Sequence, residues 1–205
     1  MFFDVDVTVA RGERQVACAF RAENDLTVLT GPSGIGKSTL LQAMAGLLTP
    51  TRGHVVVNGR TLFGPGVDLP PEQRRCGYVF QDARLFPHMS VRDNLAFPRG
   101  TRFAVTELAE RLGIADLLSR WPRSLSGGET RRVAIARALM ADADFLLLDE
   151  PLVSLDAARA RDIEALILKV RDEFVLPMLY VTHDLEEARR LGARVIRFED
   201  VVVQY

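Results

Sequence analysis

The stretch Gly31-Pro32-Ser33-Gly34-Ile35-Gly36-Lys37-Ser38 restricts this chain's folding choices more than any other. It follows the apolar run Leu26-Thr27-Val28-Leu29-Thr30 and precedes Thr39-Leu40-Leu41-Gln42-Ala43-Met44-Ala45, so the order is strand, glycine loop, helix. The spacing matches G-x-x-x-x-G-K-[ST], a loop that cradles phosphate. Glycines at 31, 34 and 36 let the backbone curl until successive N–H groups face phosphate oxygens. The helix that opens there adds unpaired amides and the positive end of its dipole. In such a loop Lys37 reaches the β- and γ-phosphates, Ser38 ligates Mg²⁺, and Thr39 closes the binding run. The expected ligand is a nucleoside triphosphate with its magnesium ion.

A chain of 205 residues fits one domain with room for an inserted subdomain. Hydrophobic residues make up 48% and charged residues 26%, which argues against disorder. The formal net charge of −1 gives no broad attraction to nucleic acid or anionic lipid, so neither is an expected partner. Cys18 and Cys76 stand far apart without metal-ligand spacing and read as reduced thiols. The start, Met1-Phe2-Phe3-Asp4-Val5-Asp6, carries acids where a signal peptide would carry positive charge. No apolar stretch approaches the roughly 20 residues that span a bilayer. Any membrane role is expected to come through a partner.

Phe3, Val5, Val7 and Val9 alternate as in a strand, Gln15 to Phe20 reads as a second, and Gly53 to Gly59 as a short strand closed by a turn. A helical turn is expected around Glu72 to Arg75, then an apolar strand, Gly77 to Phe80, ending at Gln81. From Asp82 to Ser124 helical patterns dominate: Val91 to Phe97, Phe103 to Leu112 and Ile114 to Leu118. A strand returns at Phe145 to Leu148, followed by a long helix with Ile163, Leu166, Ile167, Val170 and Phe174 on one face. Met178 to Val181 is a further buried strand, Asp184 to Leu191 a helix, and 195–198 with 201–203 a closing hairpin. Strands alternating with helices predict an α/β fold with a mainly parallel sheet covered on both faces.

Two further stretches carry chemistry. Phe145 to Asp149 delivers two acids, Asp149 and Glu150, to the sheet edge where the phosphate loop sits. Asp149 is placed to hold Mg²⁺, and Glu150 to orient or deprotonate the attacking water; Pro151 also makes the pair a plain strand-ending turn. In Leu125-Ser126-Gly127-Gly128-Glu129, Ser126 and Glu129 have capping-box spacing before a helix expected over Thr130 to Met140. The same Ser126 hydroxyl and glycine amides suit a γ-phosphate.

With these residues in place, the chain resembles the nucleotide-binding subunits of ATP-binding cassette transporters, whose signature is Leu-Ser-Gly-Gly-Gln or a close variant. The phosphate loop, Gln81, the Ser126-Gly127-Gly128 signature, Asp149-Glu150, Ser154-Leu155-Asp156 and His183 stand in the family's order. The resemblance implies the P-loop NTPase fold of that family, with an N-terminal antiparallel β-subdomain and an α-helical insertion subdomain. It divides the chain into a core of about 1–81 and 143–205 and a helical, signature-bearing subdomain of about 82–142. It implies that Gln81 touches Mg²⁺ or the attacking water and senses a membrane subunit. Ser126, Gly127 and Gly128 would contact a γ-phosphate held by a second copy, Asp156 would cross that interface, and His183 would bond the γ-phosphate. Each also has a plain reading: Gln81 as a solvated strand end, Asp156 as an N-cap, His183 as a cap beside Asp184. Arg11-Gly12 occupies the place of the family's adenine-stacking aromatic, and Glu129 that of its usual Gln.

The implied activity is ATP hydrolysis by a head-to-tail pair of copies coupled to transport, at the cytoplasmic face of a membrane. The stretches 77–91, 147–156 and 177–183 resemble bacterial importers of oxyanions, molybdate most of all. Another small solute, or a cassette ATPase outside transport, is the alternative. Leu85, Phe86 and Met89 lie where the family docks its permease, and they either form an exposed groove for it or close the insertion's own small core. A solute-binding protein is implied indirectly. The oxyanion relatives commonly continue into a C-terminal regulatory domain beyond the point matching Tyr205, so the chain reads as a short form or a shortened one.

Overall fold

The alternation at the start becomes β1 (Phe3–Arg11), with Phe3, Val5, Val7 and Val9 buried on one face. β2 (Arg14–Ala22) pairs with it antiparallel, and β3 (Leu26–Thr30) follows as a strand buried at every residue. This is a computed structural model; it describes residues 1–12, 14–98, 100 and 102–198, the side chains of Arg11 and Arg14 excepted. α1 (Lys37–Met44) opens at the glycine loop. β4 (Arg52–Val57) lies antiparallel to β1. The turn at Asn58-Gly59 has both residues at positive φ, 51° and 75°, as a two-residue hairpin loop requires. The chain therefore returns as β5 (Arg60–Gly64) and β6 (Val67–Asp68), two strands the sequence reading did not anticipate.

After the single turn α2 (Pro71–Arg74), β7 (Cys76–Val79) leads into the helical stretch: α3 (Val91–Ala96), α4 (Val105–Arg111), and α5 (Gly127–Leu139). The helix expected over Ile114 to Leu118 is a single 3₁₀ turn, Ala115–Leu117, because Gly113 in a left-handed conformation (φ 66°) breaks the pattern just before it. The signature helix starts at Gly127 rather than Thr130, since Ser126 caps it three residues earlier. β8 (Phe145–Asp149), α6 (Ala157–Phe174), β9 (Met178–Thr182), α7 (Leu185–Arg190) and β10 (Arg194–Arg197) complete the described elements.

Two sheets result. The first, in the order β2-β1-β4-β5-β6, is antiparallel; the second, β10-β3-β9-β8-β7, is parallel throughout. β8 and β9, like β3, are buried along their whole length, the mark of strands covered on both faces. One apolar core lies between the two sheets and takes in Leu40, Leu41 and Met44 of α1; Phe3 meets Phe145 edge-on there at 6.3 Å. The other lies between the parallel sheet and the helices α3 to α7, with Ile163, Leu166, Ile167 and Val170 facing it as their spacing predicts. Phe174 stacks edge-on against Phe103 at 5.3 Å. The expected closing hairpin has its first strand present as Arg194–Arg197, paired in parallel with β3. Its second half, 201–203, lies outside the described residues.

Candidate active site

β3 ends at Thr30 and the backbone turns through Gly34 (φ 80°) and Gly36 (φ 115°) into α1. At Gly36 a Cβ would stand 2.7 Å from a Val16 methyl, so the position needs glycine for space as well as for conformation. Lys37 is 4% exposed, and its ammonium donates to the carbonyls of Gly31 (2.7 Å) and Pro32 (2.9 Å), holding the loop in its curl.

β8 delivers the acids as expected. The Ser38 hydroxyl donates to Asp149 Oδ1 at 2.9 Å, joining α1 to β8. Burial pushes the Asp149 carboxyl above the ordinary carboxylate range, against the opposing hydrogen bonds from Ser38 and Tyr78. Glu150 follows in a left-handed conformation (φ 45°), with its N–H bonded to Val181 O at 2.9 Å. That twist turns its carboxylate across the sheet edge. Oε1 lies 3.7 Å from Lys37 Nζ and Oε2 lies 3.3 Å from His183 Nδ1. A carboxylate held between an ammonium and an imidazole is fixed in place, where it can accept a hydrogen bond from a water. Ser38 and Asp149 are the hard oxygen donors that magnesium takes, and a carboxyl whose charge is disfavoured by burial gains from a cation. The donor set fits Mg²⁺.

The remaining candidates lie at the start of α5, at the start of α6 and just beyond β7. Ser126 caps α5: its hydroxyl accepts from Glu129 N (3.3 Å) and its own N–H donates to Glu129 Oε2 (2.7 Å), the full capping box. Gly127 and Gly128 occupy the first two helical positions, whose N–H groups have no partner within a helix. Asp156 is exposed and caps α6, accepting from Ala158 N (3.1 Å) and Arg159 N (3.0 Å). Gln81 and Gly127 line one cleft of about 470 Å³, while Ser126, Gly128 and Arg159 line another of about 320 Å³; Lys37, Ser38, Glu150 and His183 line neither. His183 is half exposed and turns to Glu150, while Asp184 does the capping of α7. The Arg11 side chain lies outside the described residues.

Sequence reasoning missed Tyr78, whose hydroxyl donates to Asp149 Oδ2 at 3.0 Å, so both carboxylate oxygens are held. The available signal was a lone hydroxyl in an apolar strand, which needs a partner when buried. Leu85, Phe86 and Met89 are half-buried rather than exposed. Leu85 packs against the larger core and Phe86 stacks on Phe97 at 4.4 Å, because Asn94 folds the segment back onto α3.

Residues 19–153 match the family described as ABC transporter. The "Molybdenum import ATP-binding protein ModC" of Brucella melitensis is 48% identical over 199 residues, covering 94% of this chain and 55% of the relative. The protein of the same name from Rhodospirillum rubrum is 45% identical over 201 residues, covering 94% and 54%. The chain thus spans about half the length of the curated relatives it matches. A dimeric ATP-binding cassette in a post-hydrolysis state, bound to ADP and Pi, superposes with a TM-score of 0.79 at 29% identity, covering 97% of this chain and 94% of that one. Family match, relatives and fold agree: the chain belongs to the ABC transporter family.

Proposed function

We propose that the chain binds and hydrolyses ATP to power an importer of molybdate or a related oxyanion, in a head-to-tail pair with a second copy. The observation that carries this is the position of Glu150 between Lys37 and His183, beside the Ser38–Asp149 pair. Lys37 and the loop amides bind the β- and γ-phosphates, and His183 bonds the γ-phosphate from the other side. Glu150 orients the attacking water and receives its proton. Ser38, Asp149 and Gln81 would hold Mg²⁺, which would supply neutralisation of phosphate charge when bound. Ser126, Gly127, Gly128 and Asp156 serve the nucleotide of the second copy; Ser126, Gly127 and Gly128 line clefts that do not include Lys37. The oxyanion assignment rests on the names of the relatives.

The chain divides, in this reading, into a core of about 1–81 and 143–205 and a signature-bearing segment of about 82–142, supported by the placement of α3 to α5 between β7 and β8. A permease docks at the edge formed by Leu85, Phe86 and Met89; Phe97, 53% exposed against Phe86, extends the apolar surface there. Among the described residues no helix is long and apolar enough to cross a membrane, so attachment at the cytoplasmic face runs through that permease, and a solute-binding protein is engaged only through it. Glu150→Gln is expected to lower the ATP hydrolysis rate by about 10²–10⁴-fold while nucleotide binding is kept; hydrolysis at the wild-type rate would remove Glu150 from its role. Cells carrying Lys37→Ala should lose uptake of labelled molybdate and keep uptake of unrelated solutes.

A further inference from the structure

The backbone of residues 80–84 is bent in an unusual way and held from outside. Ala83 (φ 58°) and Arg84 (φ 48°) are consecutive non-glycine residues in the left-handed region, a costly conformation that persists only where surrounding structure imposes it. Two arginines of α5 supply the constraint. The Arg131 guanidinium, 6% exposed, donates to the carbonyls of Phe80 and Gln81, both at 2.7 Å. The Arg137 guanidinium donates to the carbonyls of Ala83 (3.0 Å) and Arg84 (2.9 Å). Four of the five carbonyls in the bend are therefore taken by one helix. Burial lowers the proton affinity of both guanidiniums, but each keeps its charge, so these are charge-assisted bonds in a poorly solvated place. A lysine could serve one carbonyl at a time where the planar fork serves two.

We propose that Arg131 and Arg137 are positioning residues that fasten the Gln81 bend to the helix bearing Ser126, Gly127 and Gly128, so that Gln81 moves with the signature. This rests on the function proposed above for Gln81 and deepens it. The group that senses a copy's own nucleotide and the helix start it lends to the partner's are then one body, and neither reaches its working position alone.

Two measurements on the full chain test this. Amide hydrogen exchange reads the fastening without any catalysis: Arg131→Met and Arg137→Met keep an apolar stem and remove the donors. Each is expected to speed exchange at the hydrogen-bonded amides of Ala83, Arg84 and Phe86 at least tenfold, with the amides of α1 unchanged. Unchanged exchange at the bend, or equal acceleration throughout the chain, overturns the proposal. In ATP hydrolysis Arg131→Met should lower kcat about tenfold with KM for ATP within twofold, and Arg131→Lys should recover part of the loss. Because the arginine acts through Gln81, Gln81→Ala with Arg131→Met should be no slower than Gln81→Ala alone; multiplied losses overturn it. A wild-type chain that turns over no ATP removes the functional reading instead, and the exchange result then decides the fastening by itself.

Discussion

Asp149 shows how one side chain carries opposing demands. Its carboxyl accepts from Ser38 and Tyr78, both of which favour the charge, yet burial outweighs them and the folded value lies above the ordinary range. A carboxyl raised on folding supports the fold below its unfolded value of about 4, and that support is lost as pH rises through the folded one. Asp149→Asn should therefore raise the melting temperature of the chain without nucleotide at neutral pH, by about 2–4 °C for each kcal/mol relieved. The gain should vanish toward about pH 4, where the native carboxyl is protonated too; a gain independent of pH would show that charge burial is not its cause. Cys18 gives a simpler test. Burial pushes its thiol up to about 12, so it should resist alkylation in the folded chain and react once the chain is denatured.

At the scale of elements, packing between α5 and β7 turns on one glycine. A Cβ at Gly77 would stand 2.8 Å from the Ala138 carbonyl and 2.4 Å from a Leu146 methyl. Gly77→Ala should cost about 1–3 kcal/mol by overpacking and lower the melting midpoint by several degrees; an unchanged midpoint would mean the helix can lift away. The sequence made such elements legible wherever one interaction dominated. β3, β8 and β9 are mainly apolar runs of five residues, and α6 repeats its apolar face for nearly its whole length. β5 and β6 were hidden because they are short and half-exposed, with only the Asn58-Gly59 turn to announce them. The site divided in the same way. Lys37, Ser38, Asp149 and Glu150 were legible because the backbone supplies their geometry at a strand end or a loop. Tyr78, Arg131 and Arg137 were not, because what each one holds lies tens of residues away in the chain.

In the proposed reading one chain carries two half-sites: Lys37 with Glu150 and His183, and the capped start of α5 with Asp156. If each copy completes the other, the hydrolysis rate per copy should fall as the chain is diluted, approaching a first-power dependence on concentration at the dilute end. A rate per copy constant over a hundredfold dilution, in a preparation shown to be monomeric by sedimentation, would place the whole reaction within one chain. Ser126→Ala should weaken this cooperation and also remove a cap worth about 1 kcal/mol, so stability must be read beside the rate.

β7 and β8 are parallel neighbours, so the chain leaving Val79 must cross back over the sheet before it can enter Phe145. α5, at 13 residues, is about 20 Å long and makes that return by itself. Whatever lies between residue 85 and the start of α5 is surplus to the crossing. A lineage of such chains can therefore rebuild the outer face of that stretch to suit a new neighbour, as one changes the plug on a motor, so long as Asn94 and the apolar residues the stretch lends to the core are kept.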